Sequence, residues 1–244
     1  MKVIHSELFQ KYPEINFAFS TKIGLNREAP YYFNLSLSVA DNEENVKENR
    51  KAFFGGFGLI EENVAIQKQI HSDIVSYVTT GGIIGKSDAT ITDKKNLGLA
   101  IGVADCTPIF IYNPENKVIA AVHSGWRGTA KRILEKAVMK LKNDYNSKSE
   151  KLLAYIGPSI SQKNYEVERE VAILFDEKYK IKKGEKYLLD VASANYDMLI
   201  NSGLLKYNIE KSNLCTYEEK DLLHSYRRDG KKSGRSMGII VIRD

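Results

Sequence analysis

The feature that most constrains this chain is a pair of apolar runs, 109–112 and 118–122, separated by Asn113-Pro114-Glu115-Asn116. Both runs are apolar and β-prone, suited to a buried, pleated surface. Asn followed by Pro suits the first two positions of a type I turn. The stretch therefore predicts a β-hairpin. With those four residues as its loop, Tyr112 faces Lys117 and Phe110 faces Ile119. Continued, this register sets Cys106 opposite His123. Directly opposed residues in an antiparallel pair have Cα atoms roughly 4.5–5.5 Å apart. A thiol and an imidazole so placed can share a metal ion or a proton.

Beyond His123, Ser124-Gly125-Trp126-Arg127-Gly128-Thr129 is a glycine-containing turn. It leads into a helix predicted over 130–142, because Ile133, Leu134, Ala137, Val138 and Leu141 form one apolar stripe. Free N–H groups at a helix start, with Arg127 beside them, suit phosphate or carboxylate. Singly, these residues also fit a buried cysteine, a hydrogen-bonded histidine and an ordinary turn. Their coincidence in one stretch is what points to chemistry.

Composition excludes several classes. An apolar fraction of 43% supports a real core over 244 residues, read here as one domain spanning 1–244. The net charge of +5 comes from scattered lysines, with no basic block interleaved with aromatics, so nucleic-acid binding is not expected. Two cysteines make no disulfide framework and fit a reducing compartment. Neither a signal-peptide h-region nor a membrane-length apolar run is present, so a soluble cytoplasmic protein is expected.

Along the rest of the chain, short strands alternate with helices. Strands are expected at 16–21, 64–70, 74–78, 87–93, 97–103, 152–156, 213–216 and 237–242. Helices are expected over 41–54, 166–179 and 190–200. Residues 180–186 read as a basic loop, and 224–230 as a polar loop rich in donors. The aromatic loop 30–36 offers Asn34 as a polar contact if it walls a pocket. His71, at a strand end beside Gln69 and Ser72, is exposed enough to be a ligand. Alternating elements with several hairpins predict an α/β fold with mixed sheets and helices outside.

At this point the chain resembles a known family. The motifs are Gln69-Ile70-His71-Ser72, Ser87-Asp88-Ala89, Ala104-Asp105-Cys106, the run from Val122 to Thr129, Ile156-Gly157-Pro158, Tyr165-Glu166-Val167 and Ser225-Tyr226-Arg227-Arg228-Asp229. Together they resemble the laccase-domain purine nucleoside phosphorylases, also described as polyphenol oxidases and earlier as cysteine hydrolases. The resemblance implies a four-layer α/β/β/α sandwich. It implies phosphorolysis of inosine, guanosine, adenosine and methylthioadenosine, together with deamination of adenosine. It also implies a zinc held by His71, Cys106 and His123. One departure stands out: Ser159 occupies the place after Gly-Pro where the family usually has a cysteine.

Two His and one Cys suit zinc with an open fourth position. Phosphorolysis further needs an anion site, for which Arg127 is the first candidate, then Arg50, then Arg227. Asp88 or Asp105 can orient a ligand or a ribose hydroxyl, because ligating histidines usually bond a further acceptor. The partners on this reading are a nucleoside and phosphate, with no nucleic acid and no membrane, in a monomer or small homo-oligomer. Copper on the same ligands would give a phenol oxidase, but four histidines are too few for a multicopper cluster. Cys106 as nucleophile with His123 as base would give amide hydrolysis, for instance of cell-wall precursors. A zinc staple in an interaction module is the remaining alternative.

Overall fold

The computed structural model describes residues 1–244. Two six-stranded mixed sheets form its centre. The first runs in the order β1 (Val3–Ile4), β2 (Ile15–Ser20), β15 (Ser236–Ile242), β7 (Gly98–Val103), β3 (Val64–Lys68), β5 (Gly82–Lys86). The second runs β14 (Ile209–Lys211), β10 (Leu153–Ile156), β8 (Thr107–Asn113), β9 (Val118–Ser124), β6 (Ala89–Thr92), β4 (Val75–Tyr77). A small third sheet holds β11 (Glu166–Val167), β13 (Lys186–Leu189) and β12 (Lys180–Lys183). The helices are α1 (Glu43–Gly55), α2 (Trp126–Ala130), α3 (Ile133–Tyr145), α4 (Arg169–Ala172), α5 (Val191–Asn201) and α6 (Tyr226–Asp229). None is long and apolar enough to cross a membrane.

The layering follows from strand parity. Successive strand side chains point to opposite faces. On β8, Phe110 and Tyr112 enter the cluster between the sheets, while Ile109 and Ile111 join Leu134, Val138 and Leu141 of α3 on the outer face. On β9, Ile119 and Ala121 face inward, and Val118, Ala120 and Val122 face the helix. A strand covered on both faces is apolar throughout, which is why these runs show no alternation in the sequence. Leu99, Ile101 and Val103 of β7 complete the inner cluster, and Ala100 packs outward with Phe53 and Phe54 of α1. Helix, sheet, sheet and helix thus form the expected four layers.

The hairpin register differs from the sequence expectation. Tyr112 pairs with Ile119, Phe110 with Ala121 and Pro108 with His123. The reason lies in the turn. Asn113 stays in the strand, where its buried side chain accepts from the Glu115 N–H (2.9 Å) and donates to Ser147 Oγ (2.8 Å). The turn is 114–117 instead, closed by Lys117 at φ 51°, in the left-handed region. Cys106 therefore precedes β8, in the bend 104–106, and does not pair with His123. The shift is two residues, so Cys106 keeps the facing parity of His123.

The helix expected over 166–179 is also overturned. Residues 166–167 pair with β13, α4 is a single turn, and Ile173 and Leu174 stay exposed. The expected basic loop is the β12–β13 hairpin, turning at Gly184 (φ 62°). Sheet pairing wins because it lets Val167, Phe175, Tyr179 and Leu189 pack with Trp126 and Tyr165, which a continuous helix would not. The strand expected at 213–216 is only an isolated bridge between Ser159 and Cys215. The loop 224–230 contains α6, and the helix expected over 130–142 is α2 and α3, joined at Arg132 (φ 60°).

Phe110 meets Phe17 edge-on at 4.9 Å between the sheets and is fully buried. We expect Phe110→Ala to cost about 3–5 kcal/mol in urea unfolding, from lost contact plus a residual cavity. At the hairpin tip, Glu14 accepts from the Tyr112 hydroxyl (2.5 Å) and pairs with Lys117, which hold its carboxyl down to about 2 from 4.5. A lowered folded pKa stabilises above the unfolded value and ceases to do so as pH falls through the folded one. Glu14→Gln should therefore be less stable by about 1 kcal/mol at neutral pH. The difference should close between pH 4.5 and about 2, read from thermal melts across that range.

Candidate active site

The ends of both sheets meet at one cluster. His71 follows β3 of the first sheet, Cys106 sits in the bend between β7 and β8, and His123 ends the inward face of β9. One ligand atom from each lies within 4.8 Å of the others. Cys106 Sγ is 3.9 Å from His71 Nε2, and the two imidazoles meet edge-on at 4.9 Å between centroids. A tetrahedral zinc with bonds of about 2.3 Å to sulfur and about 2.0 Å to nitrogen would set S and N roughly 3.5 Å apart. The donors fit such an ion with a small contraction.

Three local features aim these side chains. His71 has φ 58°, a left-handed conformation uncommon for a residue with a Cβ. It is held there by Asp88, whose carboxylate accepts N–H bonds from Ile70 (3.2 Å), His71 (3.0 Å) and Ser72 (2.6 Å), and the Ser72 hydroxyl (2.6 Å). The same carboxylate meets His123 Nδ1 at 2.8 Å, leaving Nε2 for the cluster. Asp105, at φ 91°, accepts from Thr216 Oγ1 (2.7 Å) and the Arg227 N–H (2.6 Å), fixing the bend that carries Cys106. Finally, a Cβ at residue 125 would lie 2.9 Å from Cys106 Sγ and 3.3 Å from His71 Cδ2, so Gly125 keeps the space open.

Charge follows from this geometry. Burial opposes ionisation of both Cys106 and His123, but each stabilises the other's charged form, lowering the thiol and raising the imidazole. Burial likewise opposes charge on Asp88, yet His123 and Ser72 outweigh it and hold the carboxyl near 2. The remaining polar ligand types lie elsewhere. His5 faces the carbonyl of Phe17 at 3.3 Å, and burial pushes His224 down to about 3. Cys215 Sγ accepts from the Ser161 N–H (3.3 Å), and its backbone bridges Ser159.

The cluster opens into a cleft of about 900 Å³. Arg127 lines it, exposed, with its guanidinium 4.1 Å over the Trp126 ring. Arg227 lines it too, over Tyr165 at 5.1 Å. Arg50 reaches the cleft but is buried, bonded to the Leu35 carbonyl (2.8 Å) and paired with Glu61 (2.5 Å). Asp88 and Asn34 are fully buried and do not line the cleft. Several lining residues escaped the sequence reading, Ser38, Gln67 and Arg235 among them. Gln67 is a buried amide whose Nε2 has no partner; its signal was a polar residue at the inward parity of a buried strand. Arg235, in the loop before β15, carried no such pattern.

Residues 16–243 match the family described as "Multi-copper polyphenol oxidoreductase laccase". The chain belongs to this family. Its relatives include a purine nucleoside phosphorylase of Bacteroides thetaiotaomicron, 30% identical over 99% of this chain and 96% of that one. The purine nucleoside phosphorylase YlmD of Bacillus subtilis is 30% identical over 96% of this chain and 91% of its own. The solved structure of the Bacillus licheniformis hypothetical protein YfiH superposes with a TM-score of 0.93 at 29% identity, over 99% and 96% of the two chains. The family description speaks of several coppers, whereas two of this member's four histidines make one cluster and the other two are placed apart from it.

Two substitutions test the cluster. We expect Asp88→Asn to weaken metal binding about 10–100-fold in chelator competition, because the imidazole loses its fixed orientation. Gly125→Ala should weaken it through a different route, crowding the thiolate; unchanged affinity in a folded protein would show that the cluster tolerates the added methyl.

Proposed function

We propose that this protein is a zinc-dependent purine nucleoside phosphorylase that also deaminates adenosine. The observation that carries the reading is the His71–Cys106–His123 cluster at one cleft with guanidiniums that lack carboxylate partners. The relatives' name supports the nucleoside class. His71, Cys106 and His123 would hold the metal. When bound, zinc supplies Lewis-acid polarisation and water activation beside the substrate.

The chain's own groups account for phosphorolysis. Arg127, stacked on Trp126, holds phosphate as a dianion and offsets its charge. An oxygen of hydrogen phosphate forms the new bond to C1′ as the C1′–N bond breaks, and the departing purine takes the bonding pair and the proton that the phosphate carried. Trp126 and Tyr165 support the guanidiniums stacked on them, and Gln67 offers an unpaired amide donor. Asp88 acts by orienting His71 and His123, not by contacting ribose. Arg50 and Asn34 serve as supports, since their polar groups are already engaged.

The test is incubation of protein of known zinc content with inosine and adenosine, with and without phosphate, separating products by chromatography. Phosphate-dependent base release, lost at least about 100-fold in Cys106→Ala, is expected. Inosine formed from adenosine without phosphate supports deamination. Neither product from zinc-loaded protein would sink the nucleoside reading. Metal-free turnover of an amide would favour the Cys106–imidazole pair as a nucleophilic hydrolase instead.

A further inference from the structure

Four of the nine arginines hold carboxylates: Arg27 with Glu48, Arg50 with Glu61, Arg132 with Glu135 and Arg228 with Asp229. Arg235 holds none, although it is less exposed than Arg127 or Arg227. Its Nη1 donates to the carbonyls of Ser233 (2.7 Å) and Gly234 (2.9 Å). Nε and Nη2 donate to nothing in the protein. That leaves free the edge of the guanidinium that grips an oxyanion through two parallel N–H bonds. Burying a cation without a counter-ion is costly, and burial does push this group's pKa down.

Buried hydrogen bonds tie Arg235 to a loop that carries two serine hydroxyls. Fully buried Asn34 accepts from the Arg235 N–H (2.9 Å) and the Ser36 N–H (3.1 Å), and donates to the Ser36 carbonyl (3.0 Å). The Leu35 N–H donates to the Arg235 carbonyl at 3.2 Å. One amide thus joins Arg235 to the loop carrying Ser36 and Ser38, whose hydroxyls lie 2.8 Å apart, and all three residues line the cleft. Arg127 lies over Trp126 and Arg227 over Tyr165, whereas the Arg235 guanidinium lies 5.5 Å over the ring of Tyr226.

We propose that Arg235, Ser36 and Ser38 form a second oxyanion subsite of this cleft, taking a phosphate group, distinct from the one at Arg127. The group is either inorganic phosphate itself or the 5′-phosphoryl of a phosphorylated nucleoside. The subsite extends the nucleoside reading above but is tested by binding, without turnover.

Isothermal titration of protein of known metal content with inorganic phosphate, inosine and inosine 5′-monophosphate separates the cases. For Arg235→Gln, affinity for one or both phosphate-bearing probes should fall about tenfold or more, with inosine within about twofold. A fall for inorganic phosphate assigns the subsite to the free anion. A fall for the nucleotide alone assigns it to the 5′ position. Arg235→Lys should retain part of the affinity, and Ser38→Ala should lower it by a few-fold, which keeps the test decisive if the Gln variant does not fold. The proposal is overturned if the wild type binds neither phosphate-bearing probe, if Arg235→Gln binds both as the wild type does, or if inosine is lost equally. Arg235-dependent binding in a protein without phosphorolysis would overturn the activity proposed above and leave this subsite standing.

Discussion

A single carboxylate holds the site together. Asp88 is fully buried, and its oxygens accept from three successive backbone N–H groups and a hydroxyl while meeting the His123 ring. A buried charge is tolerable only when its lone pairs are met, and here they are met by the two segments that must be brought together. The left-handed backbone at His71 is part of the same arrangement. The strain of that conformation, about 1–3 kcal/mol for a residue with a Cβ, is offset by hydrogen bonds to an ionised acceptor.

The sandwich supplies the rest. Phe17, Phe110 and Tyr155 pack against one another between its sheets, and the cluster lies at one end of them. There the inner faces stop presenting hydrocarbon and present Gln67, Cys106 and His123 instead. The small sheet of β11–β13 contributes none of the cluster's three side chains. It packs on Trp126 and Tyr165, the rings beneath Arg127 and Arg227, so it shapes the cleft from behind.

The layers were legible in the sequence because doubly covered strands leave long apolar runs and α3 leaves a helical stripe. The proximity of Cys106 and His123 was legible because two scarce residue types fell in one short stretch, at matching parity about a hairpin. The turn was not, because Asn113 has two local uses, turn residue or buried strand end, and only the distant Ser147 decides between them. The 166–179 segment misled for a related reason. Its apolar residues satisfy a helical period, but pairing with β13 and burial against Trp126 are tertiary choices. Arg235 was invisible because nothing in its neighbourhood along the chain announces Asn34, two hundred residues away, as its support.

Strand parity delivers Cys106 and His123 to one face, and parity survives any even change in register. The tip of the hairpin at 114–117 lies some six residues from His123, roughly 20 Å along an extended strand. That separation makes the tip an insertion point. A reporter peptide or affinity handle grafted between Pro114 and Lys117 would ride on the hairpin's far end, with the cluster, the cleft and its arginines left as they are.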